Sequence, residues 1–241
     1  MHFSVNFVLV IALLFIINGC KTEDLRQAIN VLIEQEAVPL TSQEIAEGLK
    51  EALIQGITKG SSRASMVDGY FNNPRIKIPF PPEVRKVEKA LRDIGLAKQV
   101  DRFILQLNRS AENAAAGAKP IFVNAIRSLT IHDALSILRG EPNAATNYLR
   151  RTTSAPLKAA FLPVISNALD MTRATRYYGD VVTRYNKIPF VKKVNPDLIS
   201  YASDRAIEGL FVLIAIEEAN IRANPLARTS KLLERVFGSQ D

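Results

Sequence analysis

Apolar residues recur every three or four positions along most of the chain beyond residue 40, the spacing that places side chains on one face of an α-helix. The first such stripe consists of Ile45, Leu49, Ala52, Leu53 and Ile57. A second stripe begins at Val100 and ends in an alanine-rich stretch near Ala118, where another helix can approach closely. This periodicity predicts an all-α fold, with a single multi-helix, bundle-like domain.

Polar residues ahead of the stripes mark predicted helix starts. Thr41 and Glu44 are spaced as a capping box, in which the hydroxyl and the carboxylate each satisfy a free backbone N–H, and Thr130 with Asp133 has the same spacing. Pro163 lies inside a long helical segment. Because proline removes a backbone hydrogen bond, it predicts a kink or a split there.

The stretch from Leu210 to Ile216 is apolar on every side. Seven such residues fit either a buried strand or a helix that is covered all round. The helical spacing that continues to Arg222 favours a helix, which we expect at the centre of the domain.

Two short segments with the same four residues, Lys77–Phe80 and Lys187–Phe190, interrupt the helical pattern. Each contains Ile-Pro-Phe, and a residue before proline prefers an extended conformation. Both are therefore predicted to be short extended connectors. Pairing of the two as a small ribbon is the alternative.

The start of the chain has a different pattern. An unbroken apolar run from Phe7 to Ile17 is too short to span a bilayer, but it has the length of a secretory signal core. Cys20, the only cysteine, follows it after Asn18 and Gly19, which predicts a lipoprotein that is cleaved before Cys20 and acylated on it. No Lys or Arg precedes Cys20, so an ordinary signal in which this cysteine is incidental is the alternative.

These features divide the chain into four segments. We expect a lipoprotein signal peptide at 1–19, a lipid-anchored N-terminal segment with the first helix at 20–39, the helical domain at 40–238, and a C-terminal tail at 239–241. Lys21 after the cysteine, where aspartate would argue for inner-membrane retention, favours the periplasmic face of an outer membrane. The acidic residues that follow it allow surface exposure instead.

Composition and charge narrow the expected partners. The chain is 47% hydrophobic and 23% charged, as in a folded protein, and has a net charge of +7. Its basic residues are scattered and it has no tryptophan, which indicates a solvated basic surface and no nucleic-acid site. The expected partners are the membrane, through the N-terminal lipid, and another envelope protein or a wall polymer.

Few residues of this chain suit catalysis. Only His132 remains once the signal is removed, which excludes sites that need two histidines. No glycine-rich phosphate loop, paired-histidine metal motif or calcium-loop spacing occurs. We therefore expect no metal, no cofactor and no enzymatic activity.

Two clusters are candidates for a buried polar network or for groups that orient a ligand. In the first, Asn108, Arg109 and Glu112 are close enough along a helix to interact. The favoured interpretation is structural, with an arginine that neutralises a glutamate between helices.

The second cluster, Glu217, Glu218 and Arg222, follows the all-apolar stretch. Adjacent helical residues point about 100° apart, so at least one of the two carboxylates must border the core. Such a group needs a partner or a raised pKa. Neutralisation by Arg222 or Arg109 is again the structural interpretation, and a role in orienting a ligand is the alternative.

Several segments together resemble a known family. They are Tyr70–Pro81, Asn108–Glu112, Asp133-Ala134, Ile137–Gly140, Ala145–Leu149, Glu217–Pro225 and Leu232–Gly238, in that order. This set is similar to the bacterial family of domain of unknown function 4197, from about Leu40 to Gly238. The resemblance implies an exported, mostly helical bacterial protein that is often lipid-anchored, and it implies no activity.

Three functional hypotheses follow. The first is a non-enzymatic envelope protein that binds another protein or a wall polymer as a binding or scaffold module. The second is a carrier of a small apolar or amphipathic ligand, which predicts an internal cavity of a few hundred Å³ with Arg109, Glu112 or Glu217 at its polar end. The third is a carboxylate-dependent hydrolase, with Glu112 or Glu217 in an open cleft beside a second acid.

Overall fold

The structure, a computed structural model, describes residues 39–171, 174–190, 192–194, 197–228 and 230–238. The predicted signal peptide, Cys20 and the C-terminal tail lie outside the described residues, so those interpretations stay predictions. The described residues are mostly helical and contain no strand, which confirms the all-α fold.

Helices follow one another along the described chain, and the longest connection between them is the segment from residue 66 to residue 84. They are α1 (Ser42–Ser65), α2 (Arg85–Leu91), α3 (Ala97–Ala115), α4 (Ala118–Arg127), α5 (Ile131–Leu138), α6 (Ala144–Asp170), α7 (Ala174–Tyr185), α8 (Leu198–Ala223) and α9 (Lys231–Gly238). A wider helical turn at Arg92–Leu96 joins α2 to α3, and single tighter turns lie at Pro82–Val84 and Pro225–Ala227. Gly95 adopts φ +86° in the wider turn, a conformation that glycine reaches without strain.

Helix α8 is the centre of the packing. It contacts α6, α1 and α3, and α1 in turn packs against α4, α5 and α9. Leu210, Phe211, Leu213 and Ile214 are all buried. The all-apolar stretch therefore forms a central helix, as its pattern predicted, within the compact unit Ser42–Asp241.

Two predictions about helix ends can be compared with the structure. The Thr130–Asp133 capping box is confirmed: the Thr130 hydroxyl accepts from the Asp133 backbone N–H, and the Asp133 carboxylate accepts from that of Thr130, both at 3.1 Å. Helix α1 begins at Ser42, directly after Thr41, and the capping box with Glu44 stays a prediction.

Of the kink or split predicted at Pro163, the split is wrong and the kink stays a prediction. Helix α6 is one element from Ala144 to Asp170 and contains both Pro156 and Pro163. Proline removes one hydrogen bond from the helix, but α6 packs against α8, α3 and α4 and buries Leu157, Phe161 and Ile165. The apolar burial offsets the lost hydrogen bonds.

The two connectors with the sequence Lys-Ile-Pro-Phe differ in their surroundings. In the first, Ile78 and Phe80 are buried, and the Tyr201 hydroxyl donates to the carbonyl of Pro79 at 3.2 Å. In the second, Lys187–Phe190 forms exposed turns between α7 and α8. Neither is a strand, so both are connectors and do not pair as a ribbon.

The described helices differ in length and apolarity, and a bilayer requires about 20 mostly apolar residues in one helix. No single helix among them is long and apolar enough to cross a membrane. Helices α4 and α5 reach the required length and apolarity only when they are taken together, and a bend of 106° lies between them.

Candidate functional site

Glu112 is buried on α3, where it fastens the segment that follows α1. One carboxylate oxygen, Oε1, accepts hydrogen bonds from the backbone N–H groups of Tyr70 and Phe71, both at 3.1 Å. The other oxygen, Oε2, accepts from Arg109 at 2.6 Å. The carboxylate is thus satisfied by one cation and two backbone donors, as a buried charge requires.

Arg109 links the same carboxylate to the start of that segment. Its second terminal nitrogen donates to Asp68 at 2.6 Å, and Asp68 adopts a positive φ of 68°. The hydrogen bond to Glu112 raises the pKa of Arg109, so the guanidinium stays charged. The two ion pairs of Arg109 hold the turn at Asp68 against α3.

Tyr70 anchors this segment to the central helix. Its ring is fully buried, and its hydroxyl donates to the carbonyl of Ala206 on α8 at 2.6 Å. Burial raises the pKa of Tyr70, as does the carboxylate of Glu112, so the hydroxyl remains a donor. The ring lies against Gly209, where a Cβ would come within 2.7 Å of Cε1, so only glycine allows this approach.

Asn108, one turn before Glu112, holds the first connector. Its side-chain oxygen accepts from the N–H of Ile78 and its nitrogen donates to the carbonyl of Ile78, both at 2.8 Å. The amide thus gives Ile78 the two hydrogen bonds that a neighbouring strand would supply. Together the three α3 residues fix the chain from Asp68 to Ile78, which is a structural role.

Glu218 and Arg222 form a second, separate network between two helix ends. The Glu218 carboxylate accepts from the backbone N–H groups of Ala145 and Thr146 at 3.0 and 2.9 Å, at the positive end of α6. Arg222 donates to that carboxylate at 3.1 Å and to the carbonyl of Ile137 at 2.9 Å, at the end of α5. The pair therefore joins the end of α5 to the start of α6.

Glu217 lies on another face of α8 with a different partner. Its carboxylate accepts from Arg63, at the end of α1, at 2.5 Å. Neither Arg109 nor Arg222 is the residue that neutralises it. Sequence reasoning did not identify Arg63, because this pairing joins residues 154 positions apart and no local spacing indicates it.

An apolar cavity lies elsewhere, between α3 and α7, and we call it the α3–α7 cavity. Its volume is about 740 Å³. The apolar wall consists of Phe80, Leu91, Leu96, Val100, Phe103, Tyr178 and Val181. The ring of Phe103 lies 5.1 Å from that of Phe80 and 6.5 Å from that of Tyr178, between centroids, so aromatic faces make much of the wall.

Polar side chains complete the lining of the cavity. They are Gln99, Arg102, Gln106, Asp180 and Arg184. The guanidinium groups of Arg102 and Arg184 form no ion pair with any carboxylate of the described residues. With Asp180 as the single carboxylate, the polar part of the lining carries one net positive charge.

Tyr178 belongs to the wall of the cavity and not to its charged part. Burial raises the pKa of Tyr178 to about 12. Its phenol is therefore neutral at physiological pH and adds no negative charge. An apolar cavity with arginines in its lining can hold an amphipathic molecule whose head is anionic.

None of the six residues selected from the sequence lines this cavity. The carrier hypothesis predicted a cavity of this kind, but it placed Arg109, Glu112 or Glu217 at the polar end. Sequence reasoning found Val100, at the start of a helical stripe, and missed the residues of α7. The spacing of the stripe did not indicate that part of its face lines a cavity.

No group of three or more His, Cys, Asp or Glu side chains in the described residues is arranged to hold a metal ion. His132 is exposed at the start of α5 and lies outside both networks and the cavity lining.

The comparisons with known proteins identify a family and no activity. The family described as "Protein of unknown function (DUF4197)" matches residues 39–238. No curated protein and no solved structure shows a significant match to the chain.

Proposed function

Because this chain belongs to the DUF4197 family of proteins of unknown function, we propose its function from the α3–α7 cavity: a non-enzymatic binding module of the cell envelope that holds an amphipathic anion. The apolar part of the ligand would lie against Phe80, Phe103 and Tyr178. Its anionic head would lie beside Arg102 and Arg184.

The single observation that carries the proposal is an apolar cavity lined by two arginines that form no ion pair with a described carboxylate and that outnumber its one carboxylate, Asp180. Its volume falls within the range of about 300–1,000 Å³ that is common for small-molecule sites. Burial of apolar surface stabilises a ligand by about 25 cal/mol for each Å². Guanidinium groups form charge-assisted hydrogen bonds with carboxylates and phosphates, which favours an anionic head.

The chemistry of the lining supports binding over hydrolysis. It contains no His, Cys or Ser, and Asp180 is its only carboxylate. A hydrolase that uses two carboxylates needs a second acid beside the first. Glu112 and Glu218 are instead held by backbone N–H groups and arginines, and Glu217 by Arg63.

The envelope location is part of the proposal and is supported by the apolar run that ends just before Cys20. In this proposal acylation of Cys20 attaches the domain to the periplasmic face of an outer membrane. Replacement of Cys20 by Ser should abolish incorporation of labelled fatty acid and release the protein from the membrane fraction. If the variant still incorporates fatty acid and stays in the membrane fraction, the lipid anchor is overturned. The binding proposal is tested separately.

Native mass spectrometry of residues 21–241, exported without the lipid anchor, tests the binding proposal. We expect a reproducible extra mass on the folded chain that is lost when Val181→Trp fills the cavity. The double variant Arg102→Gln/Arg184→Gln should weaken retention of an anionic ligand. Arg127→Gln, an exposed arginine of α4 outside the cavity lining, is the matched control and should retain the extra mass.

The outcomes separate the hypotheses. Loss of the mass in both cavity variants, but not in Arg127→Gln, supports the carrier. A clean apo mass in the wild-type chain, after purification from its native envelope as well, would favour a surface that binds another envelope protein or a wall polymer.

A further inference from the structure

The connector between α7 and α8 exposes apolar side chains that nothing in the described residues covers. Phe190 is fully exposed, and Ile188 is 52% exposed. Pro189 between them is exposed as well. A fully exposed phenylalanine is unusual in a folded domain, and neighbouring exposed apolar residues are typical of a surface that binds something.

Lysines surround these apolar residues. Lys187 precedes them and Lys192 and Lys193 follow, and all three are exposed. None forms an ion pair with a carboxylate of the described residues, and the sequence from 186 to 194 contains no Asp or Glu. We define the basic tip as Lys187, Ile188, Pro189, Phe190, Lys192 and Lys193.

The ends of this connector are held together by the fold. The Asn186 side chain accepts from the N–H of Val194 and donates to its carbonyl, both at 2.8 Å. Phe190 adopts φ +63°, a left-handed conformation that is costly for any residue with a Cβ. Strained backbone conformations cluster at functional sites, so this one at an exposed aromatic residue indicates a function for its side chain.

We propose that the basic tip is a second contact with the membrane, in which Phe190 enters the interface of an anionic lipid bilayer and the lysines bind lipid headgroups. Aromatic rings favour the interface between headgroups and hydrocarbon. Lysines next to an anionic surface are attracted to it. The basic tip combines an exposed apolar ring with three positive charges. This combination is complementary to the surface of an anionic bilayer.

A lipid surface fits the tip better than a second protein does. A stable protein interface buries about 800 Å² on each partner and involves about 20–30 residues a side. Six residues are too few for that. Lysine is also depleted at the centre of protein interfaces.

The proposed contact has a consequence for the α3–α7 cavity, although it rests on separate residues. The basic tip follows α7, whose Arg184 lines the cavity. Contact through Phe190 would therefore bring that end of α7 to the membrane. The inference depends neither on a ligand in the cavity nor on acylation of Cys20, so its failure is distinguishable from failure of the proposed function.

Fluorescence provides a direct test, because the chain contains no tryptophan. The variant Phe190→Trp, in residues 21–241, is titrated with phosphatidylcholine vesicles that contain or lack phosphatidylglycerol. We expect a blue shift of the emission with the anionic vesicles only. Leu226→Trp is the matched control, since Leu226 is 91% exposed in a turn far along the chain, and its emission should not shift.

Co-sedimentation with the same vesicles measures the strength of binding. Phe190→Ser should weaken binding to anionic vesicles about tenfold, because the buried apolar surface is lost. Lys192→Gln and Lys193→Gln should each weaken it about fivefold. Leu226→Ser should bind as the wild-type chain does, and circular dichroism confirms that each variant is folded.

Three results would overturn the proposal. One is equal emission shifts at positions 190 and 226. Another is wild-type binding by Phe190→Ser. The third is a change of oligomeric state in Phe190→Ser, seen by analytical ultracentrifugation without vesicles, which would assign the tip to contact between copies of the chain.

Discussion

The two connectors have the same four residues, Lys-Ile-Pro-Phe, and opposite surroundings. Ile78 is 1% exposed and Phe80 7%, whereas Ile188 is 52% exposed and Phe190 is fully exposed. Phe80 forms part of the cavity wall, and Phe190 is at the tip of a basic loop. The residues of the connector therefore do not determine whether it is buried.

An asparagine holds each connector in the same way. Asn108 binds both backbone polar groups of Ile78, and Asn186 binds both of Val194, with all four hydrogen bonds at 2.8 Å. Asn108 lies on α3, 30 positions along the chain, and so draws its connector into the core. Asn186 lies only eight positions from Val194 and closes a loop on itself. The two connectors therefore differ in where their asparagine lies in the chain, and not in the hydrogen bonds that it forms.

Replacement of each asparagine by alanine should lower the free energy of unfolding, and Asn108→Ala should lower it more than Asn186→Ala. It leaves the N–H and carbonyl of buried Ile78 without partners, each at a cost of about 2 kcal/mol, so we expect a loss of about 4 kcal/mol in the free energy of unfolding. Urea denaturation followed by circular dichroism measures it. Asn186→Ala is the matched control and should lose less, about 2 kcal/mol, because Val194 is also buried but its hydrogen bonds to the half-buried Asn186 are partly accessible to water. Equal losses would contradict our account of the difference.

Truncation of the two phenylalanines is the second comparison. Phe80→Ala should lower the free energy of unfolding by about 3 kcal/mol, because it removes a buried ring that contacts Phe103. Phe190→Ala should change it by less than about 0.5 kcal/mol, as an exposed residue does. Thermal and urea unfolding of both variants checks the difference. A comparable loss in Phe190→Ala would mean that its ring packs against the domain in solution.

Periodicity predicted the parts of the fold that depend on local sequence. The central helix followed from the apolar stretch Leu210–Ile216, and the capping box at Thr130 followed from spacing alone. Of the kink or split predicted at Pro163, the split does not occur, because packing along α6 outweighs the hydrogen bond that proline removes. The contrasting burial of the two connectors could not be predicted, since the same four residues occur in both.

The candidate site was less predictable than the fold. Pairs on one helix, such as Arg109 with Glu112, followed from helical spacing. The partner of Glu217 comes from another helix, and so does Ala145, a donor to Glu218, while Tyr70, a donor to Glu112, comes from the non-helical segment after α1. The α3–α7 cavity depends on an incompletely filled space between helices, which a single sequence does not encode in any local pattern.

The smallest expected effect concerns the backbone at Phe190 and separates folding from membrane binding. Phe190→Gly relieves a left-handed conformation that costs a residue with a Cβ about 1–2 kcal/mol, while the greater freedom of glycine in the unfolded chain costs about 0.4–1 kcal/mol. We therefore expect the free energy of unfolding to rise by about 0.5 kcal/mol, while binding to anionic vesicles falls. Asp68→Gly is the control at the other non-glycine residue that has a positive φ within the described part of the chain, and it should lose stability because the carboxylate binds Arg109 and Asn72. A clear loss of stability in Phe190→Gly would show that this residue serves the fold. A small gain together with weaker vesicle binding would show that the chain keeps a strained, exposed ring for its contact with the membrane.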